Sequence, residues 1–235
     1  NRTGLGLLSP LGLVLLIFFL APVLIMLPTS FRPYLPGVGI QDGWTLENYT
    51  EILFTPFFHK IIGRTMIMGL SVTALTLVIG YPLAYFLART KSQWRNWIIL
   101  LVIFPLLLNL VVRSYGWIAL LARNGLINDT LISLGLIDGP LKLIFNLTGL
   151  IIGLTHIFLP FMVLLLMASI QNIPHALEEA AGSLGANRPV IFLTVTLPLS
   201  VPGMLSGGIL VFVLTISALV TPRLLGGPTY MVMST

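Results

Sequence analysis

Five stretches of this chain are apolar for long enough to cross a bilayer, about 7–27, 61–88, 97–121, 147–170 and 199–220, and none of them contains Asp or Glu. A span of about 20 such residues cannot leave its amides and carbonyls unpaired in hydrocarbon, so it must be helical or part of a closed barrel. Continuous apolar runs, rather than two-residue alternation, select the helix. The expected fold class is therefore all-α integral membrane. Composition agrees: charged residues make up 8% of the chain against about 25% in soluble domains. The absence of cysteine excludes a disulfide scaffold, a thiolate metal site and a cysteine nucleophile. The net charge of +5 is spread without a Lys/Arg run, which gives no footprint for nucleic acid.

The chain reads as one transmembrane domain over 1–235. It opens at Asn1 without methionine and stops at Thr235 soon after an apolar run, so both ends are expected to be trimmed. The first block follows Arg2 and is too long and too rich in proline (Pro10, Pro22) for a signal peptide. From Pro28 to about His59 the chain turns polar and aromatic, with Pro33, Pro36, Gly37 and Gly39, and a short helix is expected near Leu46 to Leu53. Arg89, Lys91 and Arg95 crowd the short connection between spans two and three, which reads as cytoplasmic. That orientation also puts 171–198 inside and the two long loops outside. Three Asn-X-Thr sequons, at Asn48, Asn128 and Asn146, then fall outside. They read as chance occurrences in polar loops rather than glycan acceptors.

The stretch 171–198 is the most informative. Asn172 and Pro174 make a helix entry, Ala176 to Ala181 are good helix formers, and Gly185 is a natural stop. A second short helix is expected from Asn187, with Pro189 in its first turn, to Leu197 before Pro198. Two short helices joined at a glycine form a compact elbow.

Glu179-Ala180-Ala181, then Gly185, then Val195 and Leu197-Pro198 resemble the EAA loop of bacterial ABC importer permeases, with Val where isoleucine is usual. The resemblance extends through Gly80 to Ala88, Arg113-Ser114-Tyr115-Gly116-Trp117, Asn124 to Asn128, Leu159 to Val163 and Leu224 to Pro228, which look like spermidine/putrescine-type permeases. It implies an ABC importer permease fold with a cytoplasmic coupling-helix loop, five helices visible here and a sixth beyond Thr235. It also implies a multi-pass protein of the bacterial cytoplasmic (inner) membrane. The implied partners are a second, homologous but different permease subunit, two ATPase subunits, an external solute-binding protein and membrane lipid.

In that family the elbow seats in a groove of the ATPase, so Glu178, Glu179, Ala180, Ala181 and Gly185 are the expected ATPase-coupling residues. The small side chains allow close backbone approach, and the glutamates offer charge-assisted hydrogen bonds. No lysine lies in a G-x-x-x-x-G-K-[ST] pattern, so ATP and Mg are expected on the ATPase subunits and no cofactor on this chain. With no H-E-x-x-H or G-x-S-x-G, and His59, His156 and His175 far apart, no catalytic residues and no metal site are expected.

Polar groups at membrane depth point to a pathway. Asn109, Arg113 and Trp117 recur every four residues in span three, as Gly149, Gly153, His156 and Pro160 line one side of span four. With Tyr115 and Arg223, Asn109, Arg113, Trp117 and His156 are the translocation-path candidates. The alternative reading makes Arg113 and Trp117 interface anchors, His156 a packing residue, and Gly149/Gly153 and Gly203/Gly207 helix-packing pairs. Span three is expected to be interrupted at Pro105, and Pro82, Pro105 and Pro160 either break the spans around a cavity or only kink them. The family likeness favours a polyamine solute. Arg223, where polyamine permeases often carry an acid, keeps an anionic or zwitterionic solute (an opine, an aminoalkylphosphonate, an amino acid derivative) as the alternative. A secondary transporter is more distant, since neither buried coupling carboxylates nor a repeated half is visible.

Overall fold

The computed structural model describes residues 2–35, 37–228 and 230–235, with side chains for all of these except 2–9 and 11. Asn1, Pro36 and the side chain of Arg2, all named above, lie outside the described residues. The chain divides into two compact units, one up to Lys60 and one of Ile61–Thr235.

In the first unit, helix α1 (Arg2–Ser30) is followed by a small antiparallel pair, β1 (Tyr34–Leu35) and β2 (Gly39–Ile40), and by α2 (Glu47–Phe54). The expected short helix is therefore present. Apolar side chains along α1, Leu13 through Leu27, are exposed, as suits a helix whose solvent is lipid. Asn48 joins α2 to the end of α1, its Nδ2 donating to the carbonyls of Ser30 and Arg32 at 2.9 Å each.

The second unit takes in most of α3 (Pro56–Arg89), then α4 (Arg95–Leu107), α5 (Leu110–Leu121), α6 (Leu126–Ser133), α7 (Leu147–Gln171), α8 (His175–Ser183), α9 (Arg188–Ile191), α10 (Leu197–Leu199) and α11 (Val201–Ser217). Two π-helical turns, Phe192–Thr196 and Pro222–Gly226, follow α9 and α11. Among the described residues α1 from Gly12, α3 and α7 are each long and apolar enough to cross a membrane, and two bent pairs raise the number to five.

The first bent pair joins α4 to α5 and α6 at 99°. The expected interruption at Pro105 is displaced: Pro105 lies within α4, and the chain breaks at Leu108 and Asn109, both extended in ψ. Asn109 starts the new helix by capping it, its Oδ1 accepting the Val111 amide at 2.8 Å. Helices α3 and α7 continue through Pro82 and Pro160 without a break. The second bent pair, at 59°, breaks at Ser200 between α10 and α11.

Helix α7 is the centre of the unit. Leu150, Leu154, Met162, Val163, Leu166 and Ile170 are fully buried. Its main neighbour is α11, and two glycines let the helices touch. A Cβ on Gly203 would collide with the Ser169 side chain, and one on Gly207 would lie 2.8 Å from Met162 Sδ. Gly203 and Gly207 are thus packing residues, as the alternative reading had it. Gly153 instead receives Leu225, whose Cδ1 would lie 2.5 Å from an added Cβ. Two buried hydroxyls are satisfied within their own helices: Thr65 bonds Ile61 O at 2.9 Å and Thr215 bonds Val211 O at 2.7 Å.

Candidate functional site

The elbow is built by its caps. Pro174 precedes α8 in an extended conformation, and α8 ends at Gly185 with φ +87°. Gly185 N–H bonds Gly182 O at 2.9 Å, and Ala186 N–H bonds Ala181 O at 3.1 Å. This pair of bonds satisfies the last carbonyls of the helix and needs a left-handed residue, the conformation that only glycine adopts without cost. Asn187 then caps α9, accepting the Val190 amide at 3.1 Å, with Pro189 in the first turn.

The expected end before Pro198 does not occur. Helical structure continues through it to Leu199, because Phe192–Thr196 widens into a π turn in which Leu197 N–H reaches back to Phe192 O. A proline normally clashes with the carbonyl four residues earlier and removes a bond. The wider turn shifts the local hydrogen-bond register just where that misfit falls.

The two glutamates part company in the fold. Glu178 points back into its own chain: Arg89 Nη2 donates to its Oε1 at 2.6 Å and Thr196 Oγ1 donates to the same oxygen at 2.9 Å. The Arg89 and Glu178 side chains are only 11% and 18% exposed. Arg89 also donates to Ile173 O at 3.3 and 3.4 Å. Glu179 and Ala180 are exposed, as are Gly185 and Leu184, which at 90% is the most exposed large apolar residue described. Ala181 is half-buried. The elbow thus offers an outer surface of one carboxylate, small residues and an apolar tip.

The pathway candidates are not gathered into one site. Asn109 is the cap already described, Tyr115 is 57% exposed, and Arg223 is exposed on the second π turn. Trp117 and His156 do meet. The indole Nε1 donates to His156 Nδ1 at 3.2 Å with the rings edge to face. Because an indole nitrogen is a donor only, His156 Nδ1 is the acceptor in this bond.

Arg113, one turn before Trp117 on α5, lies near enough for its charge to reach His156. It lines a cavity of about 490 Å³ with Leu106, Phe158, Phe161, Ser217 and Thr221, and its Nε and Nη1 are buried with no hydrogen-bond partner among the described residues. Sequence reasoning missed Ser114 and Thr221, whose hydroxyls meet at 3.1 Å at this wall, and the elbow partners Arg89 and Thr196. For Arg89 the signal was available: Tyr81, Tyr85 and Arg89 stand four residues apart, on one helix face.

A multi-pass helical bundle with broken spans, an exposed elbow between two of them and a cavity at membrane depth defines a membrane transport protein. Residues 76–235 match the family model described as binding-protein-dependent transport system inner membrane component, and the chain belongs to that family of multi-pass inner-membrane proteins. It is 35% identical over 213 residues to the spermidine/putrescine transport system permease protein PotB of Escherichia coli (strain K12), covering 91% of this chain and 77% of that protein. It is 30% identical to the inner membrane ABC transporter permease protein YdcU of the same strain, covering 99% and 83%. Among solved structures, a bacterial alginate ABC transporter in complex with an alginate pentasaccharide-bound periplasmic protein has the same fold, with a TM-score of 0.72 at 21% identity over 98% of this chain and 78% of that one. These relatives are transport components rather than enzymes.

Proposed function

We propose that the chain is the permease subunit of an ATP-driven, binding-protein-dependent importer of polyamines of the spermidine and putrescine type. The observation that carries this reading is the exposed elbow, with Glu179 and Ala180 exposed on a capped two-helix frame, in a chain 35% identical to a named polyamine permease. The elbow lies on the cytoplasmic side, where Glu179, Ala180, Ala181 and Gly185 meet an ATPase subunit. Glu178 acts within the chain. ATP and Mg are handled by two such ATPase subunits, and a second permease chain and an external solute-binding protein complete the importer.

The test is purification from the native membrane followed by uptake in vesicles. An ATPase should accompany the chain, and labelled spermidine or putrescine should enter only with internal ATP and external binding protein. Uptake driven by a proton or sodium gradient, with no ATPase present, would overturn the reading in favour of a secondary transporter.

Arg113 supports a second reading, of an anionic or zwitterionic solute. A guanidinium stays charged, and an unpaired charge at membrane depth is expensive. The spans contain no carboxylate to pair with it. Competition between spermidine and an aminocarboxylate for the same uptake separates the two.

A further inference from the structure

One face of α3 holds both halves of the elbow. Tyr81, Tyr85 and Arg89 are four residues apart, so they stack on successive turns. The Tyr81 hydroxyl meets Ser200 Oγ at 2.8 Å in a buried bond, at the break between α10 and α11. The rings of Tyr81 and Tyr85 both meet Phe192 edge to face, at centroid distances of 5.6 and 5.5 Å. Phe192 is the first residue of the π turn. Arg89 takes the other half, bonding Glu178 within α8 and the Ile173 carbonyl in the link from α7. Glu178 in turn receives Thr196, so a single carboxylate joins α3, α8 and the π turn.

The opposite end of α3 is tied as well. Thr65 Oγ1 accepts the Met233 amide at 2.9 Å, and the Arg64 guanidinium lies 4.6 Å over the Tyr230 ring. From Thr65 to Arg89 is 24 residues, or about 36 Å of helix at 1.5 Å per residue.

We infer that Arg89 is a positioning residue for energy coupling: closed on Glu178, it makes α3 the rod that carries displacement of the elbow to the segment around Tyr230 and Met233. This rests on the reading of 171–198 as the ATPase-docking loop. Three features set Arg89 apart from a surface cation. It is almost wholly enclosed, so its bond to Glu178 is not the exposed kind of pair that contributes little. Its planar donors span a carboxylate and a backbone carbonyl at once, which a lysine ammonium cannot match in geometry. Its partner belongs to the same short helix as the outward-facing Glu179, so a force on that helix is delivered to Arg89 within one turn. The rings around Phe192 keep the second half of the elbow in step, because α8 cannot tilt from α3 without parting Glu178 from either Arg89 or Thr196.

The test uses the complete transporter in vesicles and reads solute taken up per ATP hydrolysed. Arg89→Gln should lower that ratio by about tenfold, within the usual range of coupling between sites, while the ATPase still co-purifies. Arg89→Lys should fall between wild type and Arg89→Gln. The double exchange Arg89→Glu with Glu178→Arg should exceed either single exchange. An unchanged ratio in Arg89→Gln, or a double exchange no better than the singles, overturns the inference. Should Arg89→Gln fail to accumulate in the membrane, Thr196→Val decides, since it removes only the second bond to Glu178: a lowered ratio supports the inference and an unchanged one overturns it. Because the chain has no cysteine, Ser183→Cys gives a single cross-linking position on the elbow. No cross-link from it to the ATPase would sink the docking reading itself, whereas a cross-link together with full coupling in Arg89→Gln would sink only the role of Arg89.

Discussion

The Arg89 guanidinium closes on the Glu178 carboxylate at 2.6 Å across 89 positions of sequence. Glu178 is therefore engaged inside the chain, while its neighbour Glu179 stands exposed. The adjacent acids are not equivalent, and substitutions at them should differ in kind.

Glu179→Arg should leave the permease folded and in the membrane but uncouple ATP hydrolysis from uptake, because it reverses the charge of the exposed surface only. Gly185→Trp should do the same with an added local cost, since a side chain at φ +87° strains the backbone by about 1 kcal/mol or more. Paired measurements of uptake and ATPase rate check both. Normal uptake with either change would refute the docking assignment.

Along the α7–α11 contact, Gly203→Ala should destabilise more than Gly207→Ala. The first meets the Ser169 side chain next to its backbone, whereas the second meets the movable Met162 Sδ at 2.8 Å. Overpacking of this sort costs about 1 to 3 kcal/mol when the neighbour cannot give way. Thermal unfolding of the purified chain in detergent should rank the two variants in that order.

Asn128 is fully buried and makes three bonds, donating to Ala122 O and Leu141 O at 3.0 Å each and accepting the Leu141 amide at 2.9 Å. Asn128→Ala would remove the partner of the Leu141 amide and one of the two donors to the Leu141 carbonyl, which keeps the Leu143 N–H at 3.1 Å, at about 0.5 to 1.5 kcal/mol for each bond lost. Faster proteolytic cutting between residues 122 and 141 is the expected outcome. Expression in a glycosylating host should leave Asn128 unmodified.

Arg113→Gln distinguishes the two solute classes. For a polycation, removing the unpaired guanidinium from the cavity wall should leave uptake unchanged or raise it. For an anionic or zwitterionic solute it should lower uptake severalfold, with the loss appearing in half-saturation as well as in rate. Concentration series for each solute in vesicles give the answer.

Much of the elbow was legible because its limits are set by local chemistry. Pro174, Gly185, Asn187 and Pro189 act on the backbone nearest to them, and all four mark the ends of helices as expected. The break in span three was placed at Pro105 because proline is the usual breaker; in the fold the capping side chain of Asn109 marks it instead. Asn128 and Asn146 looked like chance sequons, yet each serves the backbone, Asn146 by accepting the Gly149 amide at 3.0 Å. The spacing of Tyr81, Tyr85 and Arg89 put Arg89 on one helix face, but its pairing with Glu178 was out of reach, since a tertiary ion pair leaves no trace in either local segment. The π turn was equally hidden: its five residues, Phe-Leu-Thr-Val-Thr, have no composition that an ordinary helix lacks.

That turn makes chain length itself a requirement. Deleting one residue from Phe192–Thr196 would restore ordinary helical winding and rotate α9 against α10 by about 100°, the angle one residue occupies on a helix. Thr196 would swing away from Glu178, and the prolyl ring of Pro198 would again face a carbonyl it cannot accommodate. This stretch should therefore accept many changes of side chain but no change of count: it works as a phase shifter, and its information lies in how many residues it has.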